Sequence, residues 1–566
     1  MDSRDADTAT IGKTAGWKSW LPILLIVAVG FAFAPALRSA FVLWDDDLNI
    51  TDNTAFRGFT GTHLRWMFST LHGGHYQPLN WLTFALDHAL WGLDATGYHL
   101  TNVLLHAVNT VLVYLLVQAL LARAWMHRPL PDFRVAAAVG TLFFGLHPLR
   151  VESVAWVTER RDVLSACFYL LALLTYLQMQ DPAAGKSRRR TWYAVSVGCF
   201  ALSVLAKAWG ITFPFVLLAL DVYPLRRIGG LHAEAVEAWR RVSQQSVAAV
   251  LLEKLPFAAL AVGAAALAWL AQSQTEGIRS LAQHGVAARV AQAAYGLSFY
   301  LWKTLAPVHL SPLYLLEPIL NPLEPRYVFA AIVVVSLTAG LVAFRHRWPW
   351  ALAAWSVYVL IVSPVLGLTQ VGPQLVADRY TYLACLPAAA LVAAAVQRWA
   401  VQRAVVLAAA CAALALLGAQ TLRQCGIWRN SLALWESAVR LDPGNYYAFT
   451  NRGLAQERLR DNLDAAIADY TTAIQLNPNH ATALFNRGHA RELRGDLAGA
   501  IADYSAALHA DPRHVMACYN RGLVRQQQGD LAGAADDFAH ALELTPPGWD
   551  GRDRIVRSLS GVRAGL

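Results

Sequence analysis

Residues 20–40 have the sequence WLPILLIVAVGFAFAPALRSA, in which Arg38 is the single charged side chain. A helix needs about 20 predominantly apolar residues to cross the hydrocarbon core of a bilayer, and this run has that length. The run lacks the clear small-residue cleavage signal that a secretory signal peptide would carry. We therefore predict a retained first membrane span, and the rest of the fold depends on how often such runs recur.

Long apolar runs alternate with short polar connectors through residues 1–425, whereas residues 426–566 have the composition of a soluble helical protein. The chain of 566 residues is 56% hydrophobic and 15% charged. Soluble globular proteins have roughly 45–50% apolar and about 25% charged residues. We predict an all-α fold, with a polytopic transmembrane helix bundle over 1–425 and a second domain over 426–566. About eleven spans are predicted, at 20–40, 98–122, 133–147, 162–179, 192–206, 210–223, 251–272, 327–344, 349–367, 379–397 and 402–421.

The formal net charge is +9, and many basic residues stand in short connectors such as Arg188–Arg190 and Arg226–Arg227. Such connectors are typical of the cytoplasmic side of a membrane, so this charge argues against nucleic-acid binding. The basic connectors all fall on the cytoplasmic side only if the apolar stretch 291–305 does not cross the membrane. We predict for it a helix in the outer interface, anchored by Trp302 and Lys303. The N-terminus is then cytoplasmic and the C-terminal domain lies on the outer face.

A repeated pattern governs the C-terminal domain. The tripeptide Asn-Arg-Gly occurs three times, at 451–453, 486–488 and 520–522. An Asp followed by an aromatic residue recurs every 34 residues, at Asp469, Asp503 and Asp537. A 34-residue period with two helices per unit is the signature of tetratricopeptide (TPR) repeats, and we predict about three repeats after a leading half-repeat. Stacked repeats form a concave groove, which is either part of a scaffold or a binding surface for a peptide.

Three adjacent carboxylates, Asp45, Asp46 and Asp47, follow the first span closely. Adjacent carboxylates repel one another and are costly to desolvate, so a solvated loop is the simpler interpretation. The aromatic residues around them favour a partly enclosed site, where one carboxylate accepts a proton from an attacking hydroxyl. The three could also recruit a divalent cation. The predicted topology puts this loop on the same outer side as the loops that hold His147, Lys207 and Asp378.

Further polar side chains of the outer loops complete the set of candidates. Lys207 interrupts an apolar run, and an ionisable residue at a membrane edge is a functional-site hypothesis by default. Arg379 could bind a phosphate through its planar fork or anchor the chain to lipid headgroups. The supporting candidates are Asp47, His75, Gln77, His147, Glu152, Arg160 and Asp378. The six cysteines form no CxxC pair, and we interpret them as small hydrophobic residues without a disulfide or metal site.

Five segments of the membrane half carry a resemblance to a known family. They are Trp44-Asp45-Asp46, His75-Tyr76-Gln77-Pro78-Leu79, Tyr98-His99-Leu100-Thr101-Asn102, the loop His147-Pro148 with Val151-Glu152-Ser153-Val154-Ala155-Trp156, and Ala377-Asp378-Arg379-Tyr380. In this order they resemble the bacterial relatives of the transmembrane and TPR repeat-containing O-mannosyltransferases, of the C-type glycosyltransferase superfamily. The similarity covers nearly the whole chain, including the order of membrane half and repeats.

The resemblance implies a C-type glycosyltransferase fold in a bacterial inner membrane, a polyprenyl-phosphate sugar as donor, and a site on the outer face. It implies that Asp45 is the general base and Asp46 a supporting acceptor. Because Asp47 is a third adjacent aspartate, the match of the family's acidic pair to this sequence is left open by one residue. It also implies that Lys207 and Arg379 lie near the donor phosphate.

Our first hypothesis is an integral-membrane glycosyltransferase that transfers a sugar, with mannose as the candidate, to a hydroxyl of a protein or peptide acceptor that the TPR groove could present. A lipid-phosphate leaving group already activates the sugar, so one carboxylate and one or two cations suffice. We find no Walker loop and no G-x-G-x-x-G after a strand, which fits a non-nucleotide donor. The alternatives are a non-catalytic, membrane-anchored TPR scaffold for envelope assembly, and a transporter or glycan flippase. Against the last, the apolar half shows no internal inverted repeat.

Overall fold

The computed structural model describes residues 17–125, 130–181, 183–228, 246–275, 279–399, 403–545, 549 and 551–565. Within these ranges the regular structure is helical apart from two short strands, Tyr314–Leu315 and Gln374–Val376, which pair antiparallel. The chain divides into two compact units, Met1–Arg429 and Asn430–Leu566. Each unit is built from helices, as the apolar runs and the 34-residue period predict.

Each predicted span coincides with a helix of the first unit, although the last one was predicted to begin at residue 402, which lies outside the described residues. Six described helices are long and apolar enough to cross a bilayer, namely Lys18–Arg38, Ala95–Ala124, Val157–Met179, Val247–Ser273, Pro325–Ala343 and Ala404–Ile427. The pair Asp378–Ala384 and Leu386–Arg398, bent by 55°, passes the same test as one span. The remaining predicted spans fall on Arg134–Gly145, Lys186–Ala206, Ala208–Val222 and Pro349–Val365.

The stretch 291–305 lies within the helix Val286–Leu305. Trp302 is exposed on this helix, as an interfacial anchor would be. Lys303 is buried instead, and its ammonium group donates hydrogen bonds to the carbonyls of Val308 at 2.6 Å and His309 at 3.2 Å. The prediction that Lys303 anchors the helix to lipid is therefore wrong, because the segment after the helix folds back over the ammonium group.

Buried amide side chains hold the loops of the first unit in place. Asn102, inside the second span, donates to the carbonyls of Val154 at 3.2 Å and Trp156 at 3.4 Å. Asn80, on the helix Pro78–Trp91, donates to the carbonyl of Ala206 at 3.0 Å. Because an unpaired buried amide is costly, these bonds fix where the loop at 151–157 and the end of the fifth span lie.

The second unit is a series of helical hairpins. Its helices are Ser431–Leu441, Tyr446–Arg460, Leu463–Leu476, Ala481–Leu493, Leu497–Ala510, Val515–Gln527, Leu531–Leu544 and Arg552–Gly565. The helix Arg552–Gly565 packs Ile555, Leu559 and Val562 into the cluster around Phe538. The predicted all-α fold, a transmembrane helix bundle followed by a TPR solenoid, is confirmed.

The geometry of the repeats explains the Asn-Arg-Gly motif. In the middle repeat the guanidinium of Arg487 donates to both carboxylate oxygens of Asp503, at 2.9 and 2.7 Å. Gly488 packs against the following helix so closely that a Cβ there would lie 2.9 Å from the ring of Tyr504. The arginine thus joins the two helices of a repeat, and the glycine makes room for the aromatic ring. The same pairs recur as Arg452–Asp469 and Arg521–Asp537.

Candidate active site

A cavity of about 920 Å³ lies in the membrane unit. One wall is apolar and comes from the helices Lys186–Ala206 and Leu255–Ser273. The other wall is polar and contains Asp45, His75, Gln77, Glu159, Arg161, Lys207 and Arg379. A cavity with one apolar and one charged wall suits a ligand with an apolar tail and an anionic head.

Asp45 is the member of the aspartate cluster that lines the cavity. Its backbone φ is 66°, in the left-handed region, which costs a residue other than glycine about 1–3 kcal/mol. Its side chain forms no hydrogen bond or ion pair with any other residue that the structure describes. Burial raises the pKa of Asp45, and the nearby Arg161 opposes that shift. The carboxylate is therefore available to accept a hydrogen bond and a proton from a bound hydroxyl.

Asp46 points away from the cavity and is nearly fully buried. One carboxylate oxygen accepts hydrogen bonds from the amide and the hydroxyl of Thr158, at 2.9 and 2.7 Å, and the other accepts from the amide of Val42 at 3.0 Å. Burial raises the pKa of Asp46 to about 7, although these three donors favour the ionised form. The side chain thus holds the turn that presents Asp45.

Asp47 begins the short helical turn Asp47–Thr51 and does not line the cavity. Within the described ranges, no group of three or more His, Cys, Asp or Glu side chains is placed to hold a metal ion. Because Asp46 is occupied by three donors and Asp47 lies elsewhere, the three carboxylates do not converge as ligands of a single cation would. Of the three aspartates, Asp45 is the one that a divalent cation in the cavity could contact.

Three basic side chains of the polar wall converge on Glu159, which is fully buried. Arg161 donates to both oxygens of Glu159, at 2.6 and 3.2 Å, and Lys207 donates at 3.0 Å. The Nε atom of Arg379 lies 3.4 Å from the same carboxylate. A guanidinium has five N–H donors, so Arg161 and Arg379 keep donors that Glu159 does not use. The cluster can therefore bind an anion without first breaking apart.

Arg379 is held from several directions. Its backbone amide donates to Glu152 at 2.8 Å, and its guanidinium forms a second, short bond to the same carboxylate. The guanidinium carbon lies 5.5 Å from the ring centre of Trp156 and 4.9 Å from that of Tyr380. A planar cation fixed by a carboxylate and two aromatic rings is preorganised to bind phosphate oxygens.

Lys207 stands at the end of the helix Lys186–Ala206. Besides Glu159, its ammonium group donates a short bond to the buried Asp162 and lies 4.8 Å from the ring centre of Trp209. Two carboxylate partners thus hold the ammonium group of Lys207 in a partly buried position. Lys207 and Arg379 both contact Glu159, and their role at a donor phosphate stays a prediction.

His75 and Gln77 line the cavity on the side of the loop before the helix Pro78–Trp91. Burial holds the pKa of His75 well below its ordinary value, and the charges of Arg161 and Lys207 add to the shift. His75 is therefore a neutral imidazole, which can donate one hydrogen bond and accept another. Gln77 accepts a hydrogen bond from Asn80 at 3.0 Å, which fixes its amide.

Besides Asp47 and Glu152, three further supporting candidates do not line the cavity. His147 is fully buried and bonds to the carbonyl of Thr304 at 3.1 Å, and burial lowers its pKa to about 3. Arg160 is fully buried and pairs with Asp87 at 2.5 Å. Asp378 accepts a hydrogen bond from the hydroxyl of Tyr314 at 3.1 Å. These side chains hold the surrounding loops together instead of facing the cavity.

Glu159 and Arg161 are the charged cavity residues that the sequence did not mark as candidates. Arg160 and Arg161 begin the same helix, and neighbouring residues on a helix point about 100° apart. The sequence shows that this turn is rich in charge, but both arginines look alike without knowledge of the face that meets the cavity. Glu159 lacked a signal of its own, since its partners come from three separate segments.

A loop held by buried glutamines forms a further part of the cavity wall. Gln292, on the helix Val286–Leu305, donates to Gln370 at 2.8 Å and to the carbonyl of Leu375 at 3.0 Å. The amide of Gln370 in turn donates to the carbonyls of Gly372 and Gln374, both at 3.0 Å. These bonds shape residues 367–375, which complete the cavity beside Arg379.

Fold and cavity together define a multi-pass helical membrane protein with C-terminal TPR repeats and a cavity that has one apolar and one charged wall. The family model described as "Tetratricopeptide repeat" matches residues 460–513 and 494–548. Protein O-mannosyl-transferase TMTC2 of Mus musculus is 32% identical over 218 residues, which are 36% of this chain and 24% of that relative. Protein O-mannosyl-transferase TMTC1 of Homo sapiens is 26% identical over 514 residues, which are 82% of this chain and 56% of that relative. The predicted resemblance to the TPR repeat-containing O-mannosyltransferases is confirmed.

The matches cover the relatives only in part. The chain spans 24% of the length of TMTC2 and 56% of that of TMTC1. Among solved structures, ArnT from Cupriavidus metallidurans bound to undecaprenyl phosphate overlaps 88% of this chain and 80% of that chain. Its sequence identity is 16% and its TM-score 0.34, an overlap too loose to support an argument.

Proposed function

We propose that this protein is an integral-membrane glycosyltransferase that transfers a sugar from a polyprenyl-phosphate carrier to a hydroxyl acceptor. The observation that carries the proposal is the position of Asp45, an unpartnered carboxylate within the described chain, on the same cavity wall as Arg161, Lys207 and Arg379. Because the relatives are named protein O-mannosyl-transferases, mannose is the sugar and a protein hydroxyl the acceptor that we propose.

In the proposed reaction, the oxygen of the acceptor hydroxyl attacks the anomeric carbon of the sugar. The bond between that carbon and the phosphate oxygen breaks, and polyprenyl phosphate leaves with the bonding electrons. Asp45 takes the hydroxyl proton, and a single displacement inverts the anomeric configuration. The cations of Arg161, Lys207 and Arg379 stabilise the negative charge that grows on the departing phosphate.

The apolar wall supports a lipid carrier. Leu205, Leu260 and Leu267 line the cavity from the helices Lys186–Ala206 and Leu255–Ser273. An isoprenoid chain laid against these side chains would be removed from water at about 25 cal/mol per Å² of apolar surface. A soluble nucleotide sugar would gain nothing from this wall, so its presence favours a lipid-linked donor.

The basic connectors support a site on the outer face of the bacterial inner membrane. Arg188–Arg190 and Arg226–Arg227 favour a cytoplasmic position for the opposite ends of the helices. With the N-terminus in the cytoplasm, the proposed topology puts the loops that hold Asp45, Lys207 and Asp378 on the periplasmic side, where the TPR unit would recruit or present the protein acceptor. TPR units stack into a concave surface that suits an extended peptide.

A radiolabelled transfer assay tests the proposal. Purified full-length protein in lipid is given polyprenyl-phosphate mannose and a mixture of envelope proteins, beside the variant Asp45→Asn. Asp52→Asn is the matched control, because Asp52 is an exposed aspartate of the same segment that does not line the cavity. We expect label in a protein band with the wild type and Asp52→Asn, and a loss of at least about 100-fold with Asp45→Asn.

Full transfer by a folded Asp45→Asn variant would end the assignment of the base. No transfer by the wild type, with this donor and with a panel of other lipid-linked sugars, would contradict the glycosyltransferase function. The non-catalytic scaffold would then be the better description of the protein.

A further inference from the structure

Trp428, next to the last residue of the membrane unit, packs against Trp44, the residue before Asp45. It follows the helix Arg403–Ile427 closely, is 1% exposed, and does not line the cavity. Its ring centre lies 6.3 Å from that of Trp44, with the planes 7° apart, and 5.7 Å from that of Trp156, with the planes 28° apart. Trp44 and Trp156 stack on each other at 4.6 Å. We call Trp44, Trp156 and Trp428 the tryptophan cluster.

The tryptophan cluster joins three distant segments beside the proposed base. The indole N–H of Trp156 donates to the carbonyl of Trp44 at 2.9 Å. The amide of Ala40 donates to the carbonyl of Arg429 at 2.9 Å, so the residue after Trp428 is also bonded to the segment that leads to Asp45. Stacked aromatic pairs are worth about 0.5–1.5 kcal/mol beyond the area they bury.

Asp45 lies between two anchored residues. On one side Trp44 is held by the cluster, and on the other Asp46 is held by Thr158 and Val42. Such anchoring is needed because the left-handed backbone of Asp45 is intrinsically unfavourable and persists only when its surroundings impose it. The hydrogen bonds of Asp46 act on one side of Asp45, and the stacking of Trp44 acts on the other.

We propose that Trp428 is a positioning residue for the transfer reaction: its ring holds Trp44, and through Trp44 it keeps Asp45 in the left-handed conformation that aims the carboxylate into the cavity. The cluster also reaches the anion-binding side, because the guanidinium of Arg379 lies over Trp156. This inference rests on the proposed function for its kinetic consequence, but the geometry of the turn can be measured without any activity.

The kinetic test uses the full-length protein in lipid with polyprenyl-phosphate mannose. We expect Trp428→Ala to lower kcat by about 10–100-fold with little change in KM for this donor, because a small misplacement of the base slows chemistry more than binding. Trp428→Phe keeps an aromatic ring and should recover most of kcat. Trp355→Ala is the matched control, since Trp355 is a buried tryptophan that does not line the cavity and stacks on Tyr358 instead.

The second test reports on the turn itself. Asp45→Cys is combined with Trp428→Ala or with Trp355→Ala, and a maleimide is added to the protein in lipid. Label on the peptide that contains position 45 is quantified, so the native cysteines do not interfere. We expect Trp428→Ala to change the labelling rate severalfold and Trp355→Ala to leave it unchanged.

The outcomes separate this inference from the proposed function. Wild-type activity with unchanged kcat in Trp428→Ala would overturn the positioning role and leave the glycosyltransferase intact. An unchanged labelling rate would overturn it as well, whether or not the wild type transfers sugar. An inactive wild type with an altered labelling rate would contradict the proposed function and keep the structural role of Trp428.

Discussion

The amide and the hydroxyl of Thr158 donate to the same carboxylate oxygen of Asp46, at 2.9 and 2.7 Å. This pair of bonds fastens the aspartate turn to the start of the span Val157–Met179. It gives the two neighbouring aspartates different roles, because Asp46 is saturated by donors while Asp45 lines the cavity.

Replacing Asp46 by asparagine should cost both stability and activity. The new amide group would turn an N–H donor toward either Thr158 or the Val42 amide, and a buried donor without an acceptor costs about 1–3 kcal/mol. We expect Asp46→Asn to lower the melting temperature in lipid or detergent and to reduce transfer through displacement of Asp45. Asp52→Asn should match the wild type in both measurements. A melting temperature and transfer rate equal to those of the wild type would contradict the anchoring role.

The raised pKa of Asp46 predicts how the stability of the protein depends on pH. This pKa is about 7 in the folded protein, above the ordinary value of 3.8, because the side chain is buried. Between these values the folded state holds the proton more tightly than the unfolded state, so the contribution of this group to stability falls as pH rises. We expect the melting temperature of the wild type to fall relative to that of Asp46→Asn from about pH 4 to about pH 7. Parallel curves for the two proteins would exclude this titration.

Arg379 should not tolerate a lysine. Lysine keeps the charge but loses the planar fork that contacts Glu152, Glu159 and the ring of Trp156. We expect Arg379→Lys to lower kcat/KM for polyprenyl-phosphate mannose by about 100-fold, the size of effect seen when one preorganised donor is removed from a charge-stabilising site. Arg345→Lys, at an exposed arginine, is the control and should have no effect. Wild-type kinetics in Arg379→Lys would remove this residue from the phosphate site.

The arginines of the TPR unit should differ sharply in their effect on stability. Arg487 pairs with Asp503, whose side chain is 5% exposed, so Arg487→Met leaves a buried carboxylate with one partner fewer and should cost about 3 kcal/mol. Arg494 pairs with Asp464 at the surface, where the side chains are 57% and 75% exposed, and Arg494→Met should cost less than about 1 kcal/mol. Hydrogen exchange over residues 481–510 in the full-length protein measures both. Equal protection in the two variants would contradict the structural role of the motif arginine.

Periodic and local features of the sequence were sufficient for the architecture. Each predicted span falls on a helix because an apolar run of sufficient length has few other stable structures in a bilayer. The repeats followed from a 34-residue period, since each hairpin buries its apolar face against the next. Lys303 was wrongly predicted to be a lipid anchor, because the hydrogen bonds that bury it come from a segment beyond the end of its helix.

The candidate site could be predicted from the sequence only in part. The sequence marked Asp45, Lys207 and Arg379 as candidates, and these three line one cavity, while their catalytic roles stay predictions. It left the assignment of Asp45 as the base open by one residue, since the choice among adjacent aspartates depends on hydrogen bonds such as those from Thr158 to Asp46. It also did not distinguish Arg160 from Arg161, since that depends on which helix face meets the cavity.

By itself the sequence determined that this chain has an apolar helical half followed by a TPR array, because hydrophobic length and repeat period are properties of neighbouring residues. The tertiary structure decided which charges meet. Glu159 pairs with Arg161 on the helix that follows it, with Lys207 and with Arg379. Trp428 stacks on Trp44, although the two residues lie near opposite ends of the membrane unit's sequence. Contacts between segments so far apart depend on how the helices pack, and no local pattern records that packing.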